Sequence, residues 1–200
     1  MNRKRWRWVL ALGLLSLACR TAFVAQPAFP FYIYREFRSR DNHFAASGWM
    51  GDYGDIRFDD RWVPKGAAPH AKTVIRITYT AEGKQNNGWA GMYWQNPPNN
   101  WGGRLGGYNL NGARKLVFEA KGEKGGEVVD DFKVGGITGD YGDSGSSSSG
   151  PVTLTRQWKK YEISLEGQEL SSIAGGFCWT MSRDSDPDGA VFYLDNIRFE

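Results

Sequence analysis

Hydrophobic residues after Pro30 fall in short runs rich in β-branched and aromatic side chains, separated by Gly, Asn, Asp, Ser and Pro. Runs of this kind, with little helical repeat, predict strands joined by turns. The predicted strands are Phe31–Phe37, Ile56–Phe58, Thr73–Thr80, Trp89–Gln95, Lys115–Lys121, Val128–Val134, Trp158–Ser164, Gly176–Ser182 and Ala190–Phe199. With 26 glycines available for turns, the sequence predicts an all-β sandwich or barrel, as a single domain over residues 29–200.

Two stretches fit this pattern poorly. In Val128–Val134 the residues Val128, Phe132 and Val134 are assigned to the core, but Asp130 interrupts the alternation. Residues 139–151 (GDYGDSGSSSSGP) are polar and of low complexity. We interpret this segment as a mobile surface loop that does not pack, because strand-like sequence resumes directly after it.

Alternation divides each predicted strand into a core face and an opposite face. In Trp89–Gln95 it assigns Trp94 to the core and places Trp89 and Tyr93 on the opposite face, with Gly91 leaving a gap between the two rings. The tryptophans assigned to the core are Trp94, Trp158 and Trp179.

Residues with sugar-binding chemistry collect on the predicted outward face and in the loops beside it. A pyranose ring offers apolar C–H faces that stack on aromatic rings, and hydroxyl groups that bond to amides and charged groups. The candidate ligand contacts are Trp89, Tyr93, Gln95, Asn96, Trp101, Trp49, Tyr53, Glu119, Asp131 and Lys133. Trp49 and Tyr53 are expected on a glycine-flanked rim loop, while Pro97 and Pro98 stiffen the loop that carries Trp101. The sequence therefore predicts a non-catalytic protein that binds a polysaccharide or oligosaccharide.

Two other interpretations stay open. Glycoside hydrolysis needs two carboxylates, about 5–5.5 Å apart for retention or about 6.5–9.5 Å for inversion. Glu119 and Asp131 could meet that need from neighbouring strands, as the catalytic residues of a glycoside hydrolase or polysaccharide lyase. The preferred interpretation assigns no catalytic residue. The same aromatic patch could instead bind a protein partner, as in a cell-surface adhesion or structural module.

The first residues have the anatomy of an export signal. Four basic residues among the first seven precede the apolar run Val9–Ala18, which is shorter than the roughly 20 residues of a membrane-spanning helix. We interpret residues 1–25 as a signal peptide, or a lipoprotein signal, with a short tether. Cleavage within SLAC would leave Cys19 at the new N-terminus, where a lipid anchor could be attached. The protein is expected to be exported, either secreted or held as a cell-envelope lipoprotein.

Charge and cysteine content argue against several classes of partner and cofactor. The net charge is +3 and part of it belongs to the export signal, so we expect no nucleic-acid partner and no membrane contact except through lipid on Cys19. With two cysteines and two histidines, zinc, haem and Cys/His catalysis have little support. Cys178 is expected to be a small buried hydrophobe. We expect a monomer that requires no cofactor.

The C-terminal third resembles carbohydrate-binding modules. The stretches QWKKYEISLEG, LSSIAGGFCWTM and GAVFYLDNIRFE are similar to the end of jelly-roll modules of the galactose-binding-like type, including family 11. In these modules a strand that begins at a Trp, here Trp158, is followed by a last strand of the form F-Y-L-D-N-I, here residues 192–197. The resemblance implies a jelly-roll β-sandwich with a polysaccharide cleft on its concave sheet. It also implies a structural calcium near the last strand, with Asp195 at the matching acidic position and Asp41 as a candidate partner.

A second calcium candidate is the acidic stretch 184–195 (DSDPDGAVFYLD), whose spacing fits an EF-hand loop. The predicted strand Ala190–Phe199 would carry Asp195 roughly 20 Å from Gly189, too far for both to hold one ion. We interpret the stretch as an acidic hairpin turn that could bind calcium weakly. The candidate ligands in this turn are Asp184, Asp186 and Asp188.

Overall fold

A computed structural model of the protein describes residues 27–64 and 72–200. Within these ranges the chain forms one 3₁₀ turn, Tyr53–Asp55, and thirteen strands, with no helix long and apolar enough to cross a membrane. The strands are β1 (Phe31–Tyr34), β2 (Ala45–Gly51), β3 (Ile56–Trp62), β4 (Val74–Tyr79), β5 (Trp89–Gln95), β6 (Lys115–Gly122), β7 (Val128–Val129), β8 (Asp131–Gly135), β9 (Ser146–Ser148), β10 (Val152–Thr153), β11 (Lys159–Ser164), β12 (Gly175–Ser182) and β13 (Ala190–Phe199). The predicted export signal and Cys19 lie outside the described residues.

The strands form two antiparallel sheets and a short ribbon. The six-stranded sheet has the order β11-β6-β13-β4-β3, with β1 paired to the last residues of β13. The five-stranded sheet has the order β2-β5-β12-β8-β9, and β7 pairs with β10. This arrangement confirms the predicted all-β jelly-roll sandwich. The strands β2 and β9 were not predicted, because their sequences are dominated by Gly, Ala and Ser and lack the hydrophobic signal of a strand. The short β10 lies in the strand-like sequence that was noted directly after residue 151.

Aromatic side chains from both sheets join the two layers. The ring of Phe118 on β6 lies 4.6 Å from the ring of Phe132 on β8 and 5.2 Å from that of Phe177 on β12. Trp94 extends this cluster, with its ring 5.4 Å from Phe177. Trp94 and Trp179 are both buried, as predicted. Because each ring removes a large apolar area from water, this cluster is the centre of the core.

The assignment of Trp158 to the core is wrong. The register of β11 places Tyr161 opposite Phe118 on the core side and Lys160 opposite Glu119 on the outer side. Trp158 shares the outer side with Lys160, since alternate residues of a strand share a face. Its half-buried ring lies 6.4 Å from the ring of Tyr193, on the outer face of the six-stranded sheet.

The predicted strand Val128–Val134 is two strands with different partners. β7 pairs with β10, while β8 pairs with β12 and β9, and Asp130 lies at the break between them. The backbone N–H of Asp130 donates to the carbonyl of Thr180. Because of this break, Val129 rather than Val128 is buried in the core, which corrects the predicted alternation.

The interpretation of residues 139–151 as a loop that does not pack is also wrong. Ser146–Ser148 form β9 at the edge of the five-stranded sheet. Asp143 accepts backbone hydrogen bonds through Oδ2 from Ile137 (2.9 Å) and through Oδ1 from Ala174 and Gly175. The segment is held by hydrogen bonds, which a scan for hydrophobic residues does not detect.

The acidic stretch after β12 is a connection between the two sheets, not a hairpin turn, since β12 and β13 belong to different sheets. The turn is closed by backbone bonds from Asp186 to Ser182 and from Gly189 to Asp186. Both carboxylate oxygens of Asp186 accept from the backbone N–H of Val128, at 3.3 and 3.2 Å. Burial raises the pKa of Asp186 to about 6.

Candidate functional site

The outer face of the five-stranded sheet carries four of the ten predicted ligand contacts, which are Trp89, Tyr93, Asp131 and Lys133. Cross-strand pairing aligns Gly91 of β5 with Thr180 of β12 and Asp131 of β8. The next row along the strands joins Tyr93, Cys178 and Lys133. Trp89 lies opposite Ser182 at the start of β5. Directly opposed residues share one side of a sheet, so these side chains form one surface, which we call the open face.

Trp89 and Trp101 are the exposed aromatic rings of this surface. Trp89 is 37% exposed and Trp101, on the loop after β5, is 45% exposed. The predicted gap at Gly91 is filled. A methyl group there would lie 2.9 Å from Cγ2 of Thr180 and 3.0 Å from Cε of Met50. Thr180 of β12 and Met50 of β2 therefore approach Gly91 closely from the two neighbouring strands.

Tyr93 lies on the predicted face, but it is covered. Its side chain is only 6% exposed because Ile137 packs on it together with Cys178. The phenol donates to the carbonyl of Gly135 (3.0 Å), and burial raises the pKa of both Tyr93 and Cys178 well above their ordinary values. The ring of Trp101 stands at 86° to that of Tyr93, with centroids 5.9 Å apart. Tyr93 therefore supports Trp101.

Gln95 is buried and holds the loop that carries Trp101. Its Nε2 donates to the carbonyl of Asn100 (3.0 Å), and its Oε1 accepts from the hydroxyl of Ser47 (3.0 Å). The same hydroxyl oxygen accepts from the backbone N–H of Asn99 (2.9 Å). Both the oxygen and the nitrogen of the amide thus bond to the protein itself. Gln95 was predicted to contact the ligand, but in the structure it supports the loop.

Asn96 and Asn100 complete the hydrogen bonding of this loop. The Nδ2 of Asn96 donates to the hydroxyl of Tyr108 (3.0 Å) and to the carbonyl of His43 (3.3 Å). Asn100 is buried, and its Nδ2 donates to the carbonyl of Arg104 (3.0 Å). These bonds point the two amides into the protein, and Trp101 is the exposed aromatic side chain of the loop.

Asp131 and Lys133 are half-buried on β8, beside Thr180 and Cys178. The Oδ1 of Asp131 accepts from the hydroxyl of Ser148 (2.6 Å) and from the backbone N–H of Gly150 (3.1 Å). An acidic and a basic side chain, Asp131 and Lys133, therefore lie side by side at the β8 edge of the open face. Both could bond to hydroxyl groups of a ligand through atoms that these contacts do not occupy.

Glu119 does not belong to this surface. It lies on β6 of the six-stranded sheet, opposite Lys160 on one side and Asp195 on the other. Glu119 and Asp131 therefore belong to different sheets, and stacked sheets lie about 10 Å apart. The prediction that they face each other on neighbouring strands is wrong, because alternation within a strand does not reveal which sheet the strand joins.

Trp49 and Tyr53 do not share a rim loop. Trp49 is in β2 opposite Met92, which places it on the core side at the sheet edge, with its ring 6.2 Å from that of Phe58. It remains 39% exposed because no strand of its own sheet lies beyond β2. Tyr53 is exposed on the 3₁₀ turn that follows β2.

Asp52, which sequence reasoning missed, orders the chain that leads into Trp89. Its carboxylate accepts backbone hydrogen bonds from Gln85 (2.8 Å), Asn87 (3.0 Å) and Gly88 (2.8 Å). Burial alone would raise the pKa of Asp52, but these bonds outweigh it and hold the pKa below its ordinary value. An acidic residue in a Gly/Asp turn is too common to be recognised as an anchor from sequence.

Tyr141 is a second residue that sequence reasoning missed. It is 44% exposed, on the segment that joins β8 to β9 and covers Tyr93 through Ile137. The backbone N–H of Tyr141 donates to the carbonyl of Gly102 (2.9 Å), directly after Trp101. Its sequence signal, an aromatic residue between Asp and Gly, resembles the setting of Tyr53, but the low complexity of the segment obscured it.

The surroundings of Asp195 do not assemble an evident calcium site. Asp195 faces Glu119 across the strand pair, whereas Asp41 forms an exposed ion pair with Arg35 at 2.5 Å. Across residues 27–64 and 72–200, no three His, Cys, Asp or Glu side chains lie close enough together to hold a metal ion. Calcium at Asp195, or in the turn that contains Asp186, therefore stays a prediction.

Comparison with solved structures identifies proteins of the same fold. No protein-family model and no curated protein sequence matches the chain. A family 30 carbohydrate-binding module of the cellulosomal cellulase Cel9D-Cel44B of Clostridium thermocellum is 17% identical with a TM-score of 0.56, covering 86% of this chain and 98% of its own. A family 11 carbohydrate-binding module of the cellulosomal cellulase Lic26A-Cel5E of the same organism is 14% identical with a TM-score of 0.50, covering 82% and 91%. The predicted similarity to family 11 modules is confirmed at the level of the fold.

Proposed function

We propose that this protein is a non-catalytic carbohydrate-binding protein that holds a polysaccharide chain on the open face. The observation that carries the proposal is the pair of exposed tryptophans, Trp89 and Trp101, on one surface with Asp131, Lys133 and Thr180 between and beside them. Aromatic rings stack on the C–H faces of sugars, and the polar side chains bond to hydroxyl groups.

The spacing of the rings favours a chain over a single sugar. Trp89 and Tyr93 are four residues apart on β5, which corresponds to roughly 13 Å along a strand. Trp101 stands on Tyr93, so the two exposed rings are separated by more than the length of one sugar ring. The ligand class proposed is therefore a polysaccharide or a longer oligosaccharide.

Two further observations support the proposal. The solved structures with the same fold are themselves described as carbohydrate-binding modules. The turn before Trp89 and the loop that carries Trp101 are held by the buried side chains of Asp52 and Gln95, which lowers the entropy that binding must remove. We place the binding outside the cytoplasm, since residues 1–25 have the pattern of an export signal.

Affinity electrophoresis in gels that contain soluble polysaccharides tests the proposal. We expect at least one of mixed-linkage β-glucan, xylan, galactomannan and pectin to retard the protein. Trp89→Ala and Trp101→Ala should each weaken binding by about tenfold or more, as expected when a central aromatic contact is removed.

Trp49→Ala is the matched control, because Trp49 is similarly exposed but lies on the core side of β2. It should leave affinity unchanged, with the fold of each variant verified by thermal melting. Absence of retardation by every polysaccharide would overturn the proposal. So would equal affinity of the wild type and both open-face variants. A protein captured from surface fractions with an affinity unaffected by sugars would favour the adhesion alternative instead.

A further inference from the structure

Two exposed aromatic rings stand on loops that are bonded to each other. Trp101 belongs to the loop between β5 and β6, and Tyr141 to the segment between β8 and β9. The backbone N–H of Tyr141 donates to the carbonyl of Gly102 at 2.9 Å. The two side chains are almost equally exposed, at 45% and 44%.

Glycines allow this close approach of the two loops. A methyl group at Gly102, whose φ is +83°, would lie 2.1 Å from the carbonyl oxygen of Thr138. A methyl group at Gly139, whose φ is +131°, would lie 2.7 Å from the carbonyl oxygen of Gly102. The contact therefore depends on the absence of side chains at both positions.

Each loop is also fixed to the five-stranded sheet. Gln95 bonds to the first loop through Asn100, and Asp143 ties the second to Ala174 and Gly175 at the start of β12. Tyr141 is thus an exposed ring on a backbone that is already ordered. Ordered aromatic side chains of this kind contribute large contact areas at a low entropy cost when a ligand binds.

We propose that Tyr141 contacts the ligand and forms, together with Trp101, an aromatic rim at which the polysaccharide chain continues past the sheet. The inference rests on the proposed function and extends it. The bound segment runs from Trp89 over the row of Gly91, Thr180 and Asp131 toward the aromatic rim. The ligand is accordingly the interior of a chain of several sugar units, and single sugars bind weakly.

The test measures the affinity of Tyr141→Ala and Tyr141→Phe for the polysaccharide in the panel that retards the wild type most strongly. Tyr141→Ala should bind about three- to tenfold more weakly, the range expected for loss of one aromatic stacking contact. Tyr141→Phe keeps the ring and should stay within about twofold of the wild type. Leu105→Ala removes an exposed aliphatic side chain from the loop of Trp101 and should have no effect.

A positioning test uses Gly102→Ala, which displaces both rings and removes neither. Its affinity should fall at least as far as that of Tyr141→Ala, with thermal melting to show that the sandwich remains folded. If Trp89→Ala weakens binding while Tyr141→Ala does not, the aromatic rim is wrong and the proposed function stands. If no polysaccharide binds the wild type, both are wrong. Equal losses for Tyr141→Phe and Tyr141→Ala would contradict stacking on the ring.

Discussion

At the scale of single residues, buried polar side chains hold the backbone that presents the exposed tryptophans. Gln95 and Asn100 fix the loop of Trp101, and Asp52 fixes the turn before Trp89. Burying an amide or carboxylate without hydrogen bonds lowers the stability of the fold, and the hydrogen bonds of these side chains offset that cost. In the proposed function the aromatic rings contact the ligand, and these buried amides and the carboxylate of Asp52 hold the backbone that carries the rings.

Asp186 makes the stability of the protein depend on pH. Its folded pKa of about 6 lies above the ordinary value of 3.8, because burial disfavours the carboxylate. The stabilising contribution of the protonated form is therefore present at low pH and is lost as the pH rises through about 6. Asp186→Asn should increase the free energy of unfolding near pH 8 by on the order of 1 kcal/mol, allowing for solvent screening.

Urea unfolding from about pH 4 to about pH 8 measures this effect. The difference between Asp186→Asn and the wild type should shrink toward zero at the acidic end. Asp188→Asn, at an exposed position in the same turn, is the control and should show no such trend. A variant that is less stable than the wild type near pH 8 would contradict the raised pKa of Asp186, because the charged carboxylate would then stabilise the fold.

At the scale of the elements, local periodicity predicted the faces of β5, with Trp89 and Tyr93 outward and Trp94 in the core. This is possible because alternation depends only on neighbouring residues. That Tyr93 is covered could not be predicted, since Ile137 reaches it from a loop more than forty residues later in the chain. Alternation alone likewise could not place Trp158, because it does not show which strand β11 pairs with. The register of β11 against β6 determines that Trp158 faces outward.

The segment between β8 and β9 should depend strongly on one carboxylate. Asp143→Ala removes an acceptor from three backbone N–H groups, those of Ile137, Ala174 and Gly175. Hydrogen bonds to charged groups contribute about 1.5–3 kcal/mol, so we expect the free energy of unfolding to fall by about 3 kcal/mol. Chemical denaturation measures the loss, and limited proteolysis should cut residues 139–151 faster.

The exposed Asp140 provides the comparison for that variant. Asp140→Ala removes a carboxylate from the same segment and should change stability by less than about 0.5 kcal/mol. If both variants behave alike, the segment is not anchored through Asp143, and the loop that carries Tyr141 is less ordered than its hydrogen bonds imply.

At the scale of the whole molecule, the assignment of strands to sheets separated residues that looked alike in sequence. Glu119 and Asp131 are both acidic, outward-facing residues of predicted strands, yet they lie on different sheets. The overall sandwich could be predicted, because many short strands with turns between them have few stable arrangements. The pairing order could not, because it depends on contacts between residues far apart in the chain.

Bound calcium would raise the stability of the whole domain, because an ion held only by the folded state shifts the equilibrium toward that state. If the calcium that the resemblance implies near Asp195 is bound, the melting temperature will be higher in calcium than in a chelator. Differential scanning calorimetry of the full chain in the two buffers makes the comparison. A rise of several degrees with calcium would establish the site that the resemblance implies near Asp195.

The position of β12 and β13 has a consequence for how the protein folds. β12 lies in the middle of one sheet and β13 in the middle of the other, although they are the last two strands in the sequence. Until residues 175–199 have left the ribosome, β5 and β8 lack the strand β12 that pairs with both. In the other sheet, β4 and β6 lack β13. The sandwich therefore cannot form before residues 175–199 have been made. Its long-range pairings make folding slow, which leaves time for a chaperone to bind the unfolded chain.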